Sequence, residues 1–99
     1  MRLSPEQRQQ LRQQLAQRAG DDCEFLVFGS RLRDDVKGGD LDLLVRSPRP
    51  VESPAWTAAL MAAAAERVMD GRKVDLLLID PNTTLFPIHR AALAEGKTL

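Results

Sequence analysis

Ninety-nine residues, 43% hydrophobic and 28% charged, have the size and composition of one ordinary globular domain, expected to span 1–99, and exclude a disordered or fibrous chain. Fourteen basic and fourteen acidic residues cancel, so no whole-molecule attraction to nucleic acid or anionic lipid is expected and any anion site must be local. Cys23 is the only cysteine, which rules out an internal disulfide and fits a reducing cytoplasm; the polar N-terminus and the lack of any apolar run near the roughly 18 residues of a bilayer span predict neither export nor membrane insertion.

Ser4-Pro5-Glu6-Gln7 predicts a helix start, with Ser4 as N-cap and Gln7 completing a capping box. Leu11 and Leu15 give that helix only a thin apolar stripe before Gly20, which predicts a peripheral position. Residues 23–28 form a short apolar run that reads as a first strand and stops at Gly29. Ser30 to Gly39 is polar and of mixed charge, expected as one helical turn and a loop.

Leu41 to Val45 reads as a second strand, closed by the proline-rich Ser47-Pro48-Arg49-Pro50. Ser53-Pro54 predicts a second helix start, and the alanine-rich run through Met69 continues it to a stop at Gly71. Its larger apolar residues, Trp56, Leu60, Met61 and Met69, are expected to pack on the sheet, with a partner surface as the alternative. Val74 to Ile79 reads as a third strand, apolar except for Asp75. A last helix is expected over Leu85 to Leu93, with Ile88, Ala92 and Leu85 inward and Gly96 at its end. The expected fold class is therefore α/β (α+β): a small mixed sheet of three strands packed with helices.

Side chains alternate along a strand, so Asp40 and Asp42 face one way, with Cα atoms roughly 6.5 Å apart. At the head of an apolar strand such a pair repels itself unless a cation compensates, and oxygen-only ligands suit Mg²⁺ or Mn²⁺ held jointly with substrate phosphates. Gly29-Ser30 offers the complementary half: a close backbone approach to phosphate, a hydroxyl, and amides at a nascent helix start, with Arg31, Arg33 and Lys37 adding positive charge. Asp75, if its strand neighbours that of Asp40, completes a three-carboxylate cluster and is the candidate general base. The plainer readings are a turn-capping Asp-x-Asp, an Asp75 paired with Arg72 or Lys73, and a solvated basic face. Cys23 and His89 are assigned structural roles.

Phe28-Gly29-Ser30-Arg31-Leu32-Arg33, Gly39-Asp40-Leu41-Asp42-Leu43-Leu44-Val45 and Val74-Asp75-Leu76 together resemble the minimal nucleotidyltransferases of the DNA polymerase β superfamily. The likeness runs from Phe25 to Ile79, with the ending from Ala91 to Leu99 also similar; the loop before Asp40 is about one residue shorter than the commonest form, with Gly39 where serine is frequent. Asp-x-Asp also occurs in haloacid-dehalogenase-type phosphotransferases, but Leu43-Leu44 after it and Gly29-Ser30 before it favour nucleotidyl transfer. The resemblance implies a polymerase β-like fold, triphosphate binding by Gly29, Ser30 and Arg33, and two Mg²⁺ ions (or Mn²⁺) on Asp40, Asp42 and Asp75. It further implies transfer of AMP from ATP, or another nucleoside triphosphate, to an acceptor hydroxyl. Relatives are often paired with a HEPN-domain protein, which implies such a partner, as acceptor or as a toxin neutralised by complex formation alone. A nucleotide sensor without catalysis is disfavoured by the full motif, no direct nucleic-acid binding is expected, and self-association is left open.

Overall fold

The computed structural model describes residues 3–28 and 41–99. Helix α1 (Pro5–Ala19) starts as expected: the Ser4 hydroxyl accepts the Gln7 N–H at 3.1 Å and the Gln7 amide oxygen accepts the Ser4 N–H at 3.0 Å. It ends at Gly20, whose φ of 111° favours glycine. Strands β1 (Glu24–Phe28) and β2 (Leu41–Arg46) follow, then α2 (Pro54–Val68), β3 (Val74–Ile79), α3 (Pro87–Glu95) and a two-residue β4 (Lys97–Thr98). The expected turn of helix over Ser30 to Gly39 lies outside the described residues.

The sheet is mixed and ordered β3-β2-β1-β4. Strands β2 and β3 run parallel, as the two arms of a β-α-β unit whose crossover is α2, while β1 is antiparallel to both β2 and β4. This is the small α+β arrangement expected, with one strand more among the described residues. The extra strand, β4, pairs Thr98 with Leu26 and Lys97 with Val27, and it draws Leu99 into the core at 3% exposure.

Alternation divides the strands between two faces. Val27, Leu41, Leu43, Val45 and Val74 join Leu11, Leu15 and Ala19 of α1, Met61 and Ala65 of α2, and Met69 at the C-cap of α2 in the main core. Leu44 and Ile79 point the other way, where Ala92 of α3 covers them with help from Leu26, Phe28, Leu77 and Leu93. Helices thus cover both faces, two on one side and one on the other.

Three expectations need correction. Helix α1 is not peripheral: Leu11 and Leu15 are fully buried, because α1 and α2 share one face and α1 needs only a narrow stripe to fill its half. Met61 of α2 and its C-cap Met69 pack inward, but Trp56 and Leu60 remain 66% and 41% exposed, since they fall on the outer side of the helix. On α3, Ala92 turns inward as expected, but Ile88 stays 57% exposed and Leu85, just before the helix, also lies outside; Leu93 joins Ala92 against the sheet in their place. Ser53 is the N-cap residue of α2, but its left-handed backbone (φ 50°, ψ 61°) leaves its hydroxyl without a cap bond.

Candidate active site

The heads of β2 and β3 are tied together by backbone: the Leu41 N–H donates to the Lys73 carbonyl at 3.1 Å, and the parallel ladder begins there. The tie to α2 is made by Glu66, whose carboxylate accepts the Val74 N–H at 3.2 Å. In this register Asp42 stands directly opposite Asp75, and across the other edge of β2 it stands opposite Phe28, the last residue of β1. Residues opposite each other in register project from the same face. Both carboxylates therefore share the face that α3 covers further along, beyond the apolar row of Leu26, Leu44 and Leu77.

Neither aspartate is buried; Asp42 is intermediate in exposure and the Asp75 side chain is 52% exposed. Two unit charges at the strand spacing of about 5 Å repel by about 1 kcal/mol in water and about 3 kcal/mol at an effective dielectric of 20. A cation at the strand heads removes that cost. Lys73 supplies part of it, with its ammonium 3.7 Å from Asp75 Oδ1, the ion pair that the plainer reading of Asp75 anticipates. Among the described residues no group of three or more His, Cys, Asp or Glu is gathered to hold a metal ion. The donor set itself, two facing carboxylates at the heads of parallel strands, matches what Mg²⁺ uses when phosphates and waters complete its shell. Asp40, Gly29, Ser30 and Arg33, the other sequence-derived site residues, lie outside the described residues.

The structural assignments hold for the remaining candidates. Cys23 is buried and its thiol contacts the Ala19 carbonyl at 3.3 Å. His89 Nδ1 accepts the Phe86 N–H at 3.0 Å and so caps the start of α3.

The opposite end of the sheet carries a polar group that sequence reasoning passed over. Asp80, 8% exposed, accepts the Val51 and Asn82 N–H groups at 2.9 Å each and the Thr83 hydroxyl at 3.1 Å. The Val51 N–H contributes most to holding its carboxyl below the ordinary aspartate value; burial opposes this, and the Asn82 and Thr83 bonds add to the lowering. The Asp80-Pro81-Asn82-Thr83 run is an Asx-turn signature that would have found it. Nearby, Ser47 Oγ donates to the Arg49 carbonyl at 2.7 Å, and Arg49 bonds the Ala19 carbonyl and pairs with Asp22 at 3.3 Å. A surface depression of about 530 Å³ between Arg46, Ser47, Ile79 and Asp80 belongs to this end, away from Asp42 and Asp75.

No helix of the described residues is long and apolar enough to cross a membrane. No curated protein matches the chain. The family model described as the nucleotidyltransferase domain matches residues 8–96, a span that takes in all but the first turn of α1, every described strand of the sheet except the last, and both strand-head aspartates. The chain belongs to the nucleotidyltransferase domain family.

Proposed function

We propose that this chain transfers a nucleoside monophosphate, AMP from ATP, to an acceptor hydroxyl with release of pyrophosphate. The observation that carries the reading is the register of Asp42 against Asp75 on one face of the sheet, two residues after Asp40 in the sequence. Family membership supports nucleotidyl transfer in general; the assignment of nucleotide, metal and roles rests on the chemistry of the residues.

Gly29, Ser30 and Arg33 bind the triphosphate through amides, hydroxyl and guanidinium. Asp40 and Asp42, with Asp75, hold two Mg²⁺ ions, for which Mn²⁺ can substitute. Bound there, the ions supply the positive charge that offsets the charge developing on the phosphates during displacement. Asp75, the more open of the two described carboxylates, orients the acceptor hydroxyl and takes its proton as the oxygen attacks the α-phosphorus and the bond to pyrophosphate breaks.

The acceptor hydroxyl is proposed to lie on a partner protein of the HEPN type. A second reading, a module that neutralises such a partner by binding alone, draws support from the exposed apolar side chains Trp56, Phe86 and Ile88. The two separate in one experiment: transfer of label from α-labelled and γ-labelled ATP with Mg²⁺, to the chain itself and to any co-purifying protein, by wild type and Asp40→Asn. Label from the α position only, lost in the variant, supports nucleotidyl transfer. Label from the γ position means phosphoryl transfer instead. Absence of transfer together with neutralisation retained by folded Asp40→Asn leaves the binding module.

A further inference from the structure

Lys73 occupies a place that folding stability does not explain. Its backbone is fixed, because its carbonyl accepts the Leu41 N–H at the head of β2. Its side chain reaches across the strand head to Asp75 Oδ1 at 3.7 Å, yet both side chains are more than half exposed, at 67% and 52%. Ion pairs between groups so well hydrated add little to stability. Its ammonium does sit beside a carboxylate that faces another, Asp42, one strand away, and there it acts on whatever other cation approaches the same oxygens.

We infer that Lys73 is a resident counter-cation that makes divalent-ion binding depend on the triphosphate. The inference rests on the proposed function and adds a control to it. A divalent ion arriving alone must displace the ammonium from Asp75 and then remain near its positive charge. A triphosphate arriving with the ion brings several negative charges, which offset the ion and give Lys73 a new partner within reach of its flexible four-carbon stem. The carboxylates are thereby kept from loading a metal ion before the nucleotide is present. Linkage makes the effect reciprocal: the factor by which nucleotide tightens metal binding equals the factor by which metal tightens nucleotide binding.

The test measures Mn²⁺ binding to the whole chain by the paramagnetic resonance of free Mn²⁺, with and without α,β-methylene-ATP, which resists transfer. Wild type, Lys73→Met, Lys73→Arg and, as a control of equal charge change on β4, Lys97→Met are compared after thermal melts establish that each is folded. The expected result is that Lys73→Met binds Mn²⁺ severalfold more tightly than wild type without nucleotide and gains less from the analogue, while Lys73→Arg and Lys97→Met behave as wild type. Unchanged or weaker binding by Lys73→Met, or an equal shift in Lys97→Met, overturns the role of Lys73 and leaves the proposed function standing. Absence of Mn²⁺ binding by wild type even with the analogue overturns both.

Discussion

The two ends of the sheet treat their polar side chains in opposite ways. Where β2 and β3 finish, Asp80 is buried and each of its bonds runs to the protein itself, so one carboxylate joins the turn at 80–83 to the linker before α2. Where the same two strands begin, Asp42 and Asp75 face one another with solvent access, and the ion pair of Asp75 is with a lysine that is itself exposed. A buried carboxylate that spends three of its acceptor sites on the protein's own N–H and hydroxyl groups is committed to structure. One that shares a face with a like charge at the surface costs the fold something and retains its capacity to bind a cation. The difference separates a clasp from a candidate catalytic centre, though both are made of aspartates on, or one residue past, the same pair of strands.

The comparison is sharpened most by Asp42→Asn. Transfer activity, measured with α-labelled ATP on a variant shown by thermal melt to be folded, is expected to fall on the order of 10²-fold or more, as when a group stabilising transition-state charge is removed. Activity within a few-fold of wild type would take Asp42 out of the candidate catalytic centre. Next in size is Leu15→Ala, which empties a fully buried position on α1; urea unfolding is expected to show a loss of about 2–5 kcal/mol. A loss below 1 kcal/mol would restore the peripheral helix that the thin apolar stripe predicts.

Asp80→Asn is expected to lower stability at neutral pH with activity per folded molecule retained. Its sign with pH follows from the direction of the shift. The folded-state carboxyl titrates below its ordinary 3.8, so its contribution is present above that value and is lost as pH falls through the lower folded value. The gap between wild-type and Asp80→Asn midpoints should therefore narrow on acidification below about pH 4, and a gap that widens there would contradict the clasp. The smallest effect is expected from Trp56→Ser on the outer side of α2, within about 0.5 kcal/mol by urea unfolding. A larger loss would mean that the exposed ring is covered in solution.

Local chemistry in the chain was enough for the elements whose signals are complete within a few residues. The capping box at Ser4 and Gln7, the apolar run that becomes β3 and the glycine at the end of α1 each appear where they were expected. Asp42 and Asp75 stood out for the same reason, as charged residues at the heads of apolar strands. Other features have no local signal. A two-residue strand is too short to show a period, and β4 exists because β1 has an open edge for it to pair with. Gly96 is needed just before it: a Cβ there would meet the Ala92 carbonyl at 2.8 Å and Leu26 at 3.2 Å. The inward side of α3 is only partly legible: Ala92 is inward as expected, but Leu93 rather than Ile88 joins it, because nine residues with several apolar positions allow more than one stripe and only the sheet decides which one it covers.

The sequence by itself determined the three longer strands, where most helices begin and end, and which side chains are candidates for nucleotidyl transfer, because backbone preference, alternation and carboxylate spacing are properties of neighbours along the chain. Tertiary structure alone decided that β2 and β3 are adjacent, parallel and in a register that sets Asp42 against Asp75, with Lys73 beside them. Register is chosen by packing two strand faces against three helices at once, and no short stretch of sequence contains that sum.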